Sequence, residues 1–292
     1  MIDQFLSYLR YERNRSELTI ERYGKSLRLF QAFFEELCEG QTWETVDADI
    51  IRAWMESLMD KGYKATAVNA DLAAIRSFYK FALARKLVEK DPAYCVQGPK
   101  KQKPLPQFVK ESEMDKLLDE TEWGEEYKDV RARTIIILLY EAGLRRSELT
   151  GLNDQDVDLE ACQLKVTGKR NKQRIIPFGE ELRDQLQKYI ALRDETIERN
   201  SEALFLTKRG NRIAAEEVYL IVRSKLGEVT TLKKRSPHVL RHSFATALLN
   251  HDAGLESVRQ LLGHESLETT EIYTHTTFDQ LKRVYKEAHP RG

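Results

Sequence analysis

The stretch GPKKQKPLPQ, Gly98–Gln107, divides the chain into two blocks of different character. It contains three prolines, one glycine and three lysines. Proline interrupts a helix and lysine is rarely buried, so we expect an extended connection between two folded parts. The predicted organisation is a first domain at residues 1–98, a linker at 99–107 and a second domain at 108–292.

The block before the linker is predicted to be helical. In TIERYGKSLRLFQAFFEEL, Thr19–Leu37, apolar side chains recur every three to four residues, which is the period of an amphipathic helix. Asp3–Arg13 and Asp49–Lys61 show the same pattern. Thr66–Val88 predicts a further helix, with Thr66 as its N-cap. No strand signal accompanies these helices.

The block after the linker is mixed. DVRARTIIILLYEAGL, Asp129–Leu144, predicts a strongly apolar helix that ends near Gly143. QLKVTGKRNKQRIIPF, Gln163–Phe178, alternates apolar and polar residues on both sides of a short turn, which predicts a β-hairpin with a cationic tip. Helices are predicted from there to the end. The fold class is therefore mainly α with a small β-hairpin or sheet, and the second domain is α+β.

Composition excludes several classes of protein. Of the 292 residues, 41% are hydrophobic and 32% are charged, which indicates a globular chain rather than a disordered one. No stretch approaches the ~18–20 apolar residues of a membrane span, so no membrane partner is expected. The first residues, MIDQFLSYLRYERNRS, do not have the pattern of a signal peptide. The cysteines, Cys38, Cys95 and Cys162, are widely separated, which favours reduced thiols in the cytoplasm and argues against zinc.

The charge is balanced overall but clustered locally. Forty-seven Lys and Arg residues face 47 Asp and Glu residues, which by itself argues weakly against a nucleic-acid partner. Three segments are nevertheless strongly cationic: KKQK at Lys100–Lys103, KRNKQR at Lys169–Arg174 and KKR at Lys233–Arg235. Each alone is typical of a solvated loop. Together they favour phosphate contacts, which require cations at particular places rather than a basic average.

Five of the six histidines lie between Ser236 and His275. Ser236 is a predicted N-cap, so His238 and Arg241 lie three residues apart on one face of the helix that follows. The pair alone fits an ion-binding turn or a capping pair equally well.

His264 follows Gly263, which is predicted to end one helix, and Ser266 is predicted to cap the next. Tyr273 comes nine residues after His264. A tyrosine is usually a core or surface residue. It acts as a nucleophile only when cations and a proton acceptor lie near its phenol, whose ordinary pKa is about 10.

Two further cations belong to the same candidate site. Arg145, in GLRRSEL, comes just after the break at Gly143, and Glu148 is placed to anchor that loop. A simple ion pair at the helix end is the alternative interpretation. Lys169 stands at the predicted hairpin tip and would alone be a solvated lysine.

The combination of residue types predicts a metal-free phosphoryl-transfer site. Arginines neutralise and orient a phosphodiester through two parallel hydrogen bonds. A lysine can protonate the departing oxygen, and histidines can donate to the phosphate or accept the phenolic proton. No cofactor and no metal are expected.

With these motifs the chain resembles the tyrosine recombinase, or phage-integrase, family over nearly its whole length, and most closely its Xer-type members. The resemblance implies a SAM-like helical core-binding domain at residues 1–98, which binds DNA, and a catalytic domain at 108–292. Arg146 and Arg170 depart from the family pattern, where a small residue is expected. The implied catalytic residues are Arg145, Lys169, His238, Arg241, His264 and Tyr273.

The resemblance also implies a role for each of these residues. Tyr273 attacks a scissile phosphodiester to give a 3′-phosphotyrosyl link. Arg145 and Arg241 hold the non-bridging oxygens, and Lys169 is the general acid to the 5′-oxygen. The two histidines complete the phosphate contacts, with His238 as the proton acceptor for the phenol. The covalent link conserves the bond energy, so neither ATP nor a metal is required.

The partners implied are double-stranded DNA at a recombination site and three further protomers. They form a homo-tetramer or a hetero-tetramer with a paralogue, with a DNA translocase as a candidate activator. The task implied is the resolution of chromosome dimers at a chromosomal site during segregation and cell division. The alternatives are an integrase of a mobile element, a type IB topoisomerase-like enzyme and an inactive DNA-binding relative. The tail, Phe278–Gly292, predicts an amphipathic helix, which we expect to dock on a neighbouring protomer.

Overall fold

The structure, a computed structural model, describes residues 1–37, 40–101, 107–168, 171–263 and 275–291, with the backbone alone for 275–280. The chain forms two compact units, Met1–Pro104 and Leu105–Gly292. No helix in the described part of the chain is long and apolar enough to cross a membrane.

The first unit is helical around an aromatic core. The rings of Trp43 and Phe78 lie 4.3 Å apart, and the Tyr79 hydroxyl donates to the carbonyl of Trp43 at 3.0 Å. The buried tyrosine therefore has its hydroxyl satisfied, as a buried polar tip requires. The helices are α1 (Ile2–Tyr11), α2 (Glu17–Leu37), α3 (Ala48–Asp60) and α4 (Ala65–Ala84).

Helix α4 differs from its prediction at both ends. Its N-cap is Lys64, so the predicted cap Thr66 lies inside the first turn. At the other end the helix stops at Ala84 rather than near Val88, because Lys86 adopts a left-handed φ of 55°. The amide of Leu87 then donates back to the carbonyl of Ala82 at 2.8 Å. This is the bond that closes a Schellman motif, and it satisfies a carbonyl that the helix leaves open.

The second unit combines eight helices with a small antiparallel sheet, in the part of the chain that the structure describes. The strands are β1 (Val157–Asp158), β2 (Gln163–Thr167) and β3 (Gln173–Pro177), in that order across the sheet. The helices are α5 (Glu111–Asp115), which continues as a π-helical turn at Lys116–Glu120, α6 (Tyr127–Ala142), α7 (Arg146–Gly151), α8 (Glu180–Thr196), α9 (Ala215–Val229), α10 (Pro237–Asn250), α11 (Leu255–Leu262) and α12 (His275–Ala288).

Helix α6 forms the centre of this unit and determines where the next loop begins. It is buried along most of its length, with α8, α9 and α10 packed against it. It ends at Gly143 as predicted, with a left-handed φ of 57°. A Cβ at this position would overlap the ring of Phe244 on α10. Glycine is therefore required here both for the backbone conformation and for the close approach of α10.

The predicted hairpin forms, and its register places one cation inside the unit. Leu164 pairs with Ile176 and Val166 pairs with Arg174 across the two strands. All four side chains are buried, whereas Gln173 and Ile175 are exposed. Alternation along β3 therefore turns Arg174 into the interior, as the two-residue period of a strand requires.

The expectation that the C-terminal helix has no surface of its own unit to cover is wrong, whereas its docking on a neighbouring protomer stays a prediction. Helix α12 packs within its own unit, where it covers a surface formed by α10, α11 and β3. Leu281, Tyr285 and Ala288 are buried in the core of the second unit. The Tyr285 hydroxyl lies 3.4 Å from the carboxylate of the buried residue Glu141. The amphipathic pattern predicted the helix and its buried face correctly, but the surface that this face covers belongs to the same unit.

Candidate active site

The loop between α6 and α7 presents Arg145 and fixes it with Glu148. Arg145 is the N-cap of α7, and its backbone amide donates to Oε2 of Glu148 at 2.9 Å. Its guanidinium Nη1 donates to Oε1 of the same carboxylate at 2.7 Å. The Glu148 side chain is only 2% exposed, whereas that of Arg145 is 40% exposed. Glu148 thus anchors the loop, as the sequence predicted, and leaves the guanidinium accessible.

Two buried arginines share the same carboxylate. Arg174 donates from Nη1 and Nη2 to the two oxygens of Glu148, at 2.9 and 2.8 Å. Arg241 on α10 lies 3.8 Å from Oε2 and donates from Nη1 to the carbonyl of Gly143 at 2.6 Å. One carboxylate therefore determines the positions of three guanidinium groups that come from three different elements.

This arrangement changes the pKa of the carboxylate. Burial alone would raise the pKa of Glu148, but the hydrogen bonds and charge of Arg174, together with the hydrogen bonds of Arg145, outweigh burial and lower it to about 2. Glu148 is therefore ionised at every physiological pH. Burial, and then the charge of Arg145, lower the pKa of Arg241 to about 10, which still leaves its guanidinium protonated at neutral pH.

His238 lies beside these cations at the start of α10. Ser236 is the N-cap of that helix and Pro237 follows it, as predicted, although the Ser236 side chain makes no capping hydrogen bond. The ring of His238 packs edge-on against that of His242, with centroids 4.5 Å apart. Partial burial, then the neighbouring His242, Arg241 and Arg145, lower the pKa of His238. The imidazole is thus neutral near pH 7 and can accept a proton.

The end of α11 binds all three arginines through successive backbone carbonyls. The carbonyl of Leu261 accepts from Arg174 at 3.0 Å, that of Leu262 from Arg241 at 2.5 Å, and that of Gly263 from Arg145 at 3.4 Å. The last carbonyls of a helix have no partner within it, so they are natural acceptors for cationic donors. Gly263 ends α11 as predicted, with a left-handed φ of 64°.

The structure brings together three of the six predicted site residues, Arg145, His238 and Arg241. Lys169, His264 and Tyr273, together with the predicted cap Ser266, lie outside the described residues.

Arg174 also belongs to the site, which its sequence pattern did not predict. The residue was expected among the exposed cations of the hairpin tip, but it is buried between Glu148 and α11, with 7% of its side chain exposed. The signal was present in the alternation of RIIPF, which places Arg174 on the same strand face as the buried Ile176. Lys100, Lys233 and Lys234 are exposed, as expected of solvated cations.

Among the described residues, no group of three or more His, Cys, Asp or Glu side chains could hold a metal ion. Cys95 and Cys162 are free thiols, and Cys38 lies outside the described residues. The positive charge at the site is supplied by arginine.

Comparison with known proteins identifies the family of this chain. Residues 107–280 match the phage integrase family, and residues 2–86 match the phage integrase N-terminal SAM-like domain. The chain therefore belongs to the phage integrase family, the tyrosine recombinases, which cut and rejoin DNA.

The curated relatives specify the branch of the family. Tyrosine recombinase XerC of Pelobacter propionicus is 39% identical over 100% of this chain and 95% of its own length. XerC of Halalkalibacterium halodurans is 38% identical over 100% and 97%, and XerD of Oceanobacillus iheyensis is 34% identical over 100% and 98%. These relatives identify a Xer-type tyrosine recombinase.

Solved structures show the same fold. A XerH site-specific recombinase bound to palindromic difH substrate, in a post-cleavage complex, matches with a TM-score of 0.73 and 23% identity, over 97% of this chain and 83% of that chain. The Tn1549 transposon integrase in complex with transposon right end DNA matches with a TM-score of 0.70 and 20% identity, over 97% and 98%. The recombinase fold, mainly helical with a small sheet, is thereby confirmed.

Proposed function

We propose that this protein acts on double-stranded DNA as a site-specific recombinase through six residues: Arg145, Lys169, His238, Arg241, His264 and Tyr273. The observation that supports the proposal is the cluster around Glu148. It holds Arg145 and Arg241 together beside His238, and each of the three is at the position that the family pattern assigns to a phosphate-binding residue. The domains proposed are a DNA-binding domain at 1–98, a linker at 99–107 and a catalytic domain at 108–292.

The proposed reaction conserves the energy of the phosphodiester. The Tyr273 oxygen attacks the phosphorus, a bond to the 3′-phosphate forms, and the bond to the 5′-oxygen breaks. His238 accepts the phenolic proton and Lys169 donates a proton to the departing 5′-oxygen. Arg145 and Arg241, with His264, carry the charge on the non-bridging oxygens. Attack by a 5′-hydroxyl from another strand then reverses these steps and restores the tyrosine.

Exchange between two duplexes requires four cleavages, so we propose a tetramer on two DNA sites, formed by this chain alone or with a paralogous recombinase. The names of the relatives, XerC and XerD, are consistent with a role in resolving chromosome dimers before cell division. We further propose that the protein acts in the cytoplasm with a DNA translocase as activator.

The proposal is tested by trapping the covalent intermediate. A nicked DNA site with a labelled 3′ segment traps the adduct, because a short 5′ fragment diffuses away after cleavage. The DNA is taken from the chromosomal terminus of the source organism. The wild type should give a labelled protein band that survives denaturant and maps to the peptide TTEIYTHTT.

The matched variant is Tyr273→Phe, which removes one oxygen and keeps the ring. It should shift the DNA on a native gel as the wild type does but give no adduct. The fold should be unaffected, because the hydroxyl contributes only about 1 kcal/mol. An adduct that persists in this variant would place the nucleophile on another tyrosine.

A further inference from the structure

We infer that Arg174 is a positioning residue for the two phosphate-binding arginines and acts on them through Glu148 and the end of α11. This inference rests on the proposed function, because it concerns the same phosphate site. Arg174 does not reach the reacting atoms by itself. It is buried, and its hydrogen-bonding groups are directed at protein atoms.

The first observation is the number of groups that Arg174 joins. Its two terminal nitrogens bind both oxygens of Glu148, at 2.9 and 2.8 Å, and Nε binds the carbonyl of Leu261 at 3.0 Å. The guanidinium therefore connects strand β3, the start of α7 and the end of α11. The planar fork of arginine suits this geometry, whereas the ammonium of lysine cannot span a carboxylate in the same way.

The second observation is that the partners of Arg174 also hold the phosphate-binding arginines. Glu148 binds Arg145 at 2.7 Å and lies 3.8 Å from Arg241. The carbonyls that follow Leu261, those of Leu262 and Gly263, bind Arg241 and Arg145. Arg145 and Arg241 thus each contact Glu148 and one α11 carbonyl. Arg174 holds the carboxylate directly and the carbonyls through the end of their helix.

The third observation concerns the backbone on either side. A Cβ on Gly263 would lie 3.1 Å from Cδ of Arg174, and one on Gly168 would lie 3.4 Å from Oε1 of Glu148. These glycines immediately precede His264 and Lys169 in the sequence. The Arg174–Glu148 pair therefore packs against the two points where the backbone enters the segments that carry those residues.

Replacement of Arg174 by lysine should affect DNA cleavage but not DNA affinity. With lysine at position 174, Glu148 keeps its bonds from Arg145 but receives one contact from residue 174 in place of two, so the carboxylate and the α11 carbonyls can shift relative to each other. The total positive charge that DNA meets is unchanged if lysine replaces arginine. Affinity should therefore persist while the cleavage rate falls, because misplacement of a catalytic group by about 1 Å can cost about 100-fold in rate.

The test compares Arg174→Lys with a matched control, Arg193→Lys. Arg193 is also buried. It binds both oxygens of a carboxylate, that of Asp154, at 2.7 and 3.1 Å, and it binds a backbone carbonyl, that of Leu204, at 2.8 Å. It contacts none of the site residues named above. For both variants we would measure melting temperature, DNA affinity by mobility shift, and the single-turnover rate of adduct formation on the nicked site.

The expected result is a cleavage rate about 10- to 100-fold lower for Arg174→Lys, with DNA affinity within about twofold of the wild type. Arg193→Lys should melt at a similarly reduced temperature yet cleave at the wild-type rate. Equal cleavage by the two variants after correction for the folded fraction would overturn the inference. Failure of the wild type itself to form an adduct would instead refute the proposed function, and with it the inference.

A second measurement identifies which catalytic groups Arg174 acts on. A methylphosphonate at the scissile position replaces one non-bridging oxygen with a methyl group and makes the linkage neutral, so the arginines matter less. The deficit of Arg174→Lys should then shrink to less than about threefold. A substrate with sulfur in place of the bridging 5′-oxygen has a leaving group that needs no general acid. If this substrate, rather than the methylphosphonate, restores the cleavage rate of Arg174→Lys, then Arg174 acts on Lys169, and the route through Glu148 is overturned.

Discussion

Replacement of Glu148 by glutamine should destabilise the second unit by about 3 kcal/mol near neutral pH. The pKa of this carboxyl is lowered from 4.5 to about 2, and each pH unit of difference corresponds to about 1.4 kcal/mol. The same magnitude follows from the rule that removal of one member of a buried ion pair costs about 3–5 kcal/mol. In this case Arg174 and Arg241 would remain buried without their counter-charge.

The stabilisation by the Glu148 carboxylate should decrease as the pH falls. Because the folded-state pKa is below the unfolded value, the stabilisation is fully present above about pH 4.5 and is lost as the pH falls toward about 2. The difference in the free energy of unfolding between the wild type and Glu148→Gln should therefore narrow by about 2 kcal/mol between about pH 5 and about pH 3. Urea titrations at several pH values measure it.

The control is Glu113→Gln. Glu113 occupies the same position in the capping box of α5, where it accepts from the amide of Lys110 at 2.9 Å, but this bond is exposed. Glutamine can also accept at this position, so we expect a change of less than about 1 kcal/mol that does not depend on pH. A Glu148→Gln variant as stable as Glu113→Gln, or a difference that is constant with pH, would refute the account of the carboxylate given above.

Four further predictions concern catalysis and packing. Cleavage should persist in excess EDTA, because arginine supplies the positive charge. Loss of cleavage in EDTA that Mg²⁺ then restores would contradict this. Lys169→Ala should lower the cleavage rate by about 10²–10⁴-fold with little change in DNA affinity, and a bridging 5′-sulfur should rescue it. Gly143→Ala should cost about 2–4 kcal/mol in urea titrations, since a left-handed φ and the ring of Phe244 both oppose a Cβ. Truncation after His275 removes three side chains from the core, so thermal melting should show loss of the second unit's folding transition; a truncated chain that melts like the wild type would contradict this.

Local signals were sufficient for much of the fold. Gly143 and Gly263 end helices as predicted because a left-handed backbone strongly favours glycine. The hairpin forms where the apolar alternation and the turn residues predicted it. The end of α4 was predicted too late, because the left-handed residue there is Lys86, whose side chain gives no such signal. Its conformation is stabilised by the bond from Leu87 to Ala82 instead.

The remaining differences arise where an interaction depends on residues distant in the sequence. A charged side chain such as Arg174 is normally exposed, and only the presence of Glu148, 26 residues earlier, makes its burial favourable. The amphipathic pattern of α12 shows that one face is buried but does not identify the surface that covers it. Arg145, His238 and Arg241 could be selected from motifs. The α11 carbonyls that Arg145 and Arg241 share with Arg174 could not, because these donors and acceptors come from four separate segments.

The shared carboxylate also determines how much charge the site has left for its substrate. Arg145, Arg174 and Arg241 bring three positive charges, and Glu148 cancels one of them. The carboxyl end of α11 contributes roughly half a negative charge. About one and a half positive charges therefore remain, against the single negative charge of a phosphodiester. When the phenolic oxygen joins the phosphorus, the pentacoordinate centre gains a further negative charge. The cluster is thus only partly neutralised by bound DNA and more fully neutralised by the transition state, which is the condition under which binding energy lowers a barrier.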